Sequence, residues 1–475
     1  MNQNRLVGVT VLPEYIQSEG VEALLDNLER AGVTAVATSP YVMEPADETT
    51  GSREPPADAE AGSVRLLDRP LWGKRELWVR TAPSWEPDRT QYNGLRYQPS
   101  SPTELTRRQG HVVADFITAA KERGLKVYFQ VMAAIPPGYR VQFGGPTEDD
   151  TPRLPDGRLP GKRVDKNGSL ASEHIVAYEH ALIRDLLSTY RDIDGIRFDW
   201  PEYPPYLLDS VFLDFCEHAR TAAARFDIDF ERMRTDVGAL YDKLHGGLTD
   251  ADVQAWSDRE TAKGRLLDYL ARHPGVADWL RFKSLLSAKL LEGFRRVMDD
   301  ASAKHVELEP SAFPPPWSIV SGFDFQRAAE HCDAVAVKLY GMHWAMMLRF
   351  YGEQLLAANE GLCEASLVRG LVAVLDIADD QGLPTLDDYR YPEPDQPHPM
   401  GQRAQARKIA QAQSDAGDCP IHVLAHGYGP ADDFRRRIRV ACQASGHGFW
   451  VNRYAYLSDE KLDIIGQEVR AAAAE

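Results

Sequence analysis

The chain of 475 residues is 43% hydrophobic, 26% charged and 9% aromatic, a globular composition that excludes a disordered, collagen-like or disulfide-stapled protein. Its 54 Lys+Arg against 71 Asp+Glu give a net charge of −17, a field that repels phosphate backbones and anionic membrane surfaces and argues against nucleic-acid or membrane partners. Five widely spaced cysteines, Cys216, Cys332, Cys363, Cys419 and Cys442, include no Cys-x-x-Cys pair; they read as reduced core residues rather than a disulfide framework or a zinc site.

In chain order, short β-branched runs alternate with long amphipathic stretches, the pattern of parallel strands with crossover helices. The predicted strands are Leu6–Leu12, Ala35–Tyr41, Val127–Met132, Gly195–Trp200, His305–Pro310, Ala334–Tyr340, Ile421–His426 and Phe449–Tyr454. Helices are expected over Gly20–Ala31, Val112–Arg123 and Asp459–Ala471, and over Leu367–Ile377, where apolar residues recur every four positions. The opening apolar run has strand length rather than signal-peptide length, and no run approaches about 18 apolar residues, so the expectation is a soluble cytoplasmic protein.

Eight strand–helix units without a change of composition predict an α/β fold: a single (β/α)8 TIM barrel over 1–475, with a doubly wound sheet as the alternative. Long insertions are expected at 42–105 after the second strand, 136–171 after the third, 227–275 (helical) after the fourth and 345–400 after the sixth. All lie on the C-terminal face, where barrel enzymes build their sites. Trp72, Trp78, Trp85, Tyr92 and Tyr97 in the first insertion suit either stacking on sugar rings or packing of the loop itself.

The run Asp194-Gly195-Ile196-Arg197-Phe198-Asp199-Trp200-Pro201-Glu202-Tyr203 is the most specific. Strand alternation turns Arg197 and Asp199 into the barrel and Ile196 and Phe198 toward the helices, with Asp199 at the strand tip. A carboxylate there suits a nucleophile or charge stabiliser, the alternative being an Arg–Asp pair that only fills the barrel. In the fifth strand Glu307 and Glu309 share a face, and Glu309 is expected at the tip beside Asp199, or else as a solvated residue before Pro310. Paired strand-tip carboxylates are the minimum equipment for glycoside cleavage. Lys338 of the sixth strand points inward, to bind a sugar hydroxyl or carboxylate, to form a Schiff base, or to pair with Glu307. Tyr41, Gln130, Tyr340, His426 and Asn452 complete the expected rim. No phosphate-binding loop, dinucleotide fingerprint, His-Glu-x-x-His or Gly-x-Ser-x-Gly occurs, and neither metal nor cofactor is expected.

On these residues the chain resembles the glycoside-hydrolase (β/α)8 barrels, distantly those of α-amylase type, whose strand-four Asp-Gly-x-Arg-x-Asp run is matched by Asp194, Gly195, Arg197 and Asp199. The resemblance implies a glycosidase acting on an oligosaccharide or glycoside, with Asp199 and Glu309 as the catalytic pair and Arg197, Glu202, Lys338, Tyr340, His426, Asn452, Tyr41 and Gln130 around the sugar. The third strand lacks the family's Asp and Asn-His ending, and the seventh ends Ala425-His426-Gly427 without Asn-His-Asp. Glu202 is accordingly an alternative acid. A Schiff-base lyase or aldolase using Lys338 and a non-catalytic carbohydrate-binding barrel are the other readings.

Overall fold

The computed structural model describes residues 5–56, 65–302 and 304–474. Eight parallel strands close into one barrel in chain order: β1 (Leu6–Thr10), β2 (Ala35–Thr38), β3 (Lys126–Met132), β4 (Gly195–Asp199), β5 (Glu307–Ala312), β6 (Val335–Leu339), β7 (Ile421–His426) and β8 (Gly448–Asn452), the last pairing back onto β1. The (β/α)8 expectation holds.

Alternation does what the strand patterns require. Ile196 and Phe198 are fully buried on the helix side, where the Phe198 ring stacks on Phe294 of helix Pro274–Ala301 with centroids 4.2 Å apart, a pair worth about 0.5–1.5 kcal/mol beyond its buried area. The inward residues stack in layers set by the register. Tyr128, Gly195 and Glu307 form the lowest, Gln130, Arg197 and Glu309 the middle, and Met132, Asp199 and Ser311 the rim. Two inward glycines make room for large rings. A Cβ on Gly8 would lie 2.1 Å from the Trp450 ring, and one on Gly195 would lie 2.4 Å from Tyr128. Those two rings meet edge to face at 5.2 Å and fill the lower barrel.

Several strand ends differ from expectation by a few residues, and two of these differences move candidate residues. The fifth strand runs two residues further than Pro310, because its ladder to β6 is confined to Ser311 and Ala312 and a proline without an N–H interrupts nothing below them. Glu309 is therefore one layer under the tip. The second strand stops at Thr38, and Tyr41 instead opens the strand Tyr41–Ala46 of a separate antiparallel sheet, in which Leu77–Pro83 lies between it and Ser52–Glu54. Helix Glu364–Leu375 confirms the four-residue apolar spacing, and the chain after β4 includes the helices Phe230–Leu244, Asp250–Trp256 and Arg259–Arg272. All five cysteines are free, but Cys363 is exposed rather than in the core. Among the described residues no helix is long and apolar enough to cross a membrane.

Candidate active site

The C-terminal ends of the strands open onto a cavity of about 180 Å³, below the roughly 300–1,000 Å³ of drug-sized pockets and suited to one small ring or the end of a longer ligand. Its wall takes Leu12 from beyond β1, Ser39 from beyond β2, Gln130 and Met132 from β3, Asp199 and Trp200 from β4, Lys338 and Tyr340 from β6, His426 from β7, and Asn452 and Arg453 from β8. Loops contribute Arg65, Tyr139, Arg140, Tyr206 and His343.

Asp199 is the single carboxylate among the described residues that line this cavity. Its Oδ1 lies 2.7 Å from Lys338 Nζ. The lysine is buried and sits 4.9 Å from the centre of the Phe313 ring and 5.5 Å from that of Trp200, so aromatic faces share its charge with Asp199. The pairing of Lys338 is thus with Asp199, while Glu307 pairs with Lys126 at 2.6 Å in the lowest layer. Just past Asp199, Trp200 has φ +56°, a left-handed conformation unusual for a bulky side chain.

His426 is buried in the wall and receives the Tyr428 N–H on Nδ1 at 3.1 Å. Burial first, then the neighbouring Arg65, His343, Arg437 and Arg453, push its pKa well below the ordinary value. A neutral ring that accepts at Nδ1 carries its proton on Nε2, and so acts as a donor there. Tyr340 is hydrogen-bonded with Asn452, and its phenol is pushed up chiefly by burial, then by Asp199; it remains a hydroxyl.

Four expected site residues lie elsewhere. Glu309 is buried in the middle layer, where its Oε1 accepts from Trp450 Nε1 at 2.8 Å and lies 3.1 Å from His422 Nδ1 and 3.8 Å from Arg197 Nε. Burial would raise its pKa, but His422 and Arg197 hold it below the usual carboxylate range. Arg197 is fully buried beside it, with its guanidinium over the Trp450 ring at 4.0 Å. Together they are an ion pair inside the barrel, so Arg197 faces Glu309 while Asp199 pairs with Lys338, and Glu309 is not a rim residue beside Asp199. Tyr41 is buried behind the wall, donating to Glu14 Oε2 at 2.9 Å. Glu202 is fully buried, accepts the Phe313 N–H at 2.8 Å and the Ser321 hydroxyl, and does not line the cavity. Burial, outweighing Lys338 and the hydrogen bonds, raises its pKa to about 7.

The residues that sequence reasoning missed are mainly Arg140, Arg453, Tyr139 and Tyr206. Arg140 and Tyr139 lie in the loop expected at 136–171, but nothing in that loop's composition says which side chains reach the mouth. Arg453 follows Asn452 directly, and strand alternation alone assigns it to the opposite face. The five aromatic residues of the first insertion are absent from the wall. Trp85 and Tyr92 instead donate to buried Asp185, at 3.0 and 2.9 Å. Among the described residues no group of His, Cys, Asp and Glu is placed to hold a metal ion.

No protein-family model matches the sequence, and no curated protein does. Solved structures do align with it. They include a β-galactosidase from the psychrophilic Marinomonas ef1, with TM-score 0.49 and 11% identity over 98% of this chain and 59% of that one. The catalytic domain of a β-amylase from Paenibacillus polymyxa aligns with TM-score 0.48 and 11% identity over 98% of each chain. A chitinase from Chromobacterium violaceum does so with TM-score 0.38 and 9% identity over 99% of each chain. The chain thus spans about three fifths of the length of the first of these.

Proposed function

We propose that the protein is a glycoside-cleaving enzyme in which Asp199 is the carboxylate that meets the sugar and Glu202 is the second carboxyl, in place of Glu309. The observation that carries the reading is Asp199 itself, at the tip of β4, set against Lys338 in a wall that holds hydrogen-bonding groups and aromatic faces beside the arginines Arg65, Arg140 and Arg453. Sugars present this combination, with hydroxyls around the edge and apolar C–H faces above and below. As the glycosidic bond breaks, the ring carbon gains positive charge, and a carboxylate in a water-poor site stabilises that charge or adds to it. Gln130, Asn452, Tyr340 and the Nε2–H of His426 supply contacts to the hydroxyls.

The leaving oxygen needs a proton. Glu202, with a pKa of about 7, has the value that suits a general acid near neutrality. Its oxygens are held by Phe313 and Ser321, so in this proposal the side chain leaves those donors when a sugar is bound. The test is turnover of aryl glycosides by Asp199→Asn and Glu202→Gln. A loss in kcat of roughly 10²-fold or more is expected for each. A loss under about tenfold for Asp199→Asn overturns its role.

One observation favours a second reading. Lys338 lines the cavity, is 2% exposed, and touches a carboxylate able to shuttle its protons, as a Schiff-base lyase or aldolase requires. Borohydride trapping with carbonyl compounds discriminates, because only that reading predicts a covalent adduct on Lys338.

A further inference from the structure

We infer that the wall formed by Arg140 and Arg453 binds an anionic group of the substrate, so that the sugar taken by the cavity is an acidic one carrying a carboxylate, as a uronic acid does. The inference rests on the glycosidase reading and narrows it to a substrate class.

Both arginines line the cavity and each is 9% exposed. They are held from behind by two fully buried carboxylates that do not line it, Glu14 and Glu54. Glu54 bridges them, accepting from Arg140 Nη2 at 2.7 Å on one oxygen and from Arg453 Nη2 at 2.6 Å on the other. Glu14 accepts from Arg140 Nη1 at 3.1 Å. The guanidiniums are thereby fixed in orientation before any ligand arrives, which lowers the ordering cost of binding.

A guanidinium carries five N–H donors. Among the described residues Arg453 engages an acceptor only through Nη2, and its buried Nε–H has none. A ligand oxyanion is the acceptor that fits, since the planar fork of arginine matches a carboxylate with two parallel hydrogen bonds. Charge agrees with geometry. Burial and then Glu54 outweigh Arg140 and Arg453 and leave the Glu14 pKa raised, whereas the two arginines outweigh burial and hold Glu54 below the usual carboxylate range, so two guanidinium charges stand against one firmly ionised carboxylate. On the facing wall Asp199 is already met by Lys338, so an entering anion meets no unpaired carboxylate there.

Calorimetric titration with glucuronate, glucose 6-phosphate and glucose tests the assignment. Glucuronate is expected to bind at least about tenfold tighter than glucose, the scale set by charge-assisted pairing. In Arg453→Met/Glu54→Gln, which removes both partners of the pair, the ratio is expected to fall within about threefold; Arg453→Lys, which keeps the charge but loses the fork, should lie between. Equal affinity of the wild type for glucose and glucuronate overturns the inference, as does an unchanged ratio in the double variant. Tighter binding of glucose 6-phosphate than of glucuronate overturns the carboxylate assignment. Turnover of neutral glycosides with no preference for anions would sink this inference and leave the glycosidase reading standing. Selective glucuronate binding without turnover of any glycoside would do the reverse.

Discussion

Asn167 clamps the strained turn at Trp200: its Nδ2 donates to the Trp200 carbonyl at 2.8 Å and to the Glu202 carbonyl at 2.7 Å. The left-handed Trp200 lies between the two carboxyl residues of the proposed site, so one buried amide from the 136–171 loop sets where both stand. Asn167→Ala leaves two carbonyls without that donor and frees the turn to relax. A stability loss of roughly 1–3 kcal/mol is expected, with kcat falling more than KM rises. Asn167→Asp, which sets a carboxylate against two carbonyl oxygens, should be worse on both counts. Urea denaturation and steady-state kinetics check this, and an unchanged kcat in a folded Asn167→Ala protein would remove the clamp from the mechanism.

Glu202 gives the pH dependence a definite sign. Its folded pKa is raised to about 7, first by burial, and the Ser321 hydrogen bond works against that rise. As an acid it is active while protonated, so kcat should fall as pH rises through about 7. Ser321→Ala removes a bond that favours the charged form, and the falling limb should move to higher pH. Stability follows the same direction. The contribution of a carboxyl with a raised folded pKa is fully present below the ordinary value near 4.3 and is lost as pH rises through about 7. Glu202→Gln should flatten both profiles. A kcat limb that persists unaltered in Glu202→Gln belongs to another group.

The barrel was legible because each strand is a short apolar run with a strict inside–outside alternation, which also placed Asp199, Lys338, Tyr340, His426 and Asn452 on the cavity. Local pattern failed where a tertiary fact decided. Pro310 reads as a strand end, yet β5 finds its β6 partners just beyond it, at Ser311 and Ala312, and that two-residue difference drops Glu309 from rim to interior. Tyr41 reads as the tip of the second strand, but pairing with Pro83 draws it into another sheet. Arg140 and Glu54 come from separate insertions and meet only in the fold; no spacing in the chain encodes their contact.

Glu179, on helix Glu173–Thr189, is a test of burial without compensation. It is fully buried, and neither carboxyl oxygen has a hydrogen-bond partner among the described residues. Burial alone pushes its pKa well above the ordinary value. The unfolded chain therefore releases the proton more readily, and the stability associated with this group falls as pH rises above about 4.3. Glu179→Met should stabilise the protein at neutral pH by about 1–3 kcal/mol, the desolvation cost of an unpaired polar group. The gain over wild type should shrink as pH falls toward 4. A gain that does not vary with pH would mean that the carboxyl finds a partner in solution.

Glu309 separates an interior ion pair from a catalytic one. Its carboxylate is shared by Trp450, His422 and Arg197 inside the barrel, and its pKa is lowered because His422 and Arg197 outweigh burial. The stability it contributes is present above the ordinary carboxylate pKa and lost as pH falls through its lowered one. Glu309→Gln leaves Arg197 buried without a counter-charge, and breaking such a pair costs about 3–5 kcal/mol. The folded fraction should nevertheless keep kcat within roughly tenfold of wild type, since a group that does not touch the substrate contributes less than the 10²-fold of a general acid or base. Asp199→Asn should lose kcat far more heavily, and it too should cost stability, because it leaves the buried Lys338 without its counter-charge. If Glu309→Gln loses kcat as heavily as Asp199→Asn while remaining folded, the middle layer takes part in the chemistry and Glu202 is not the second carboxyl.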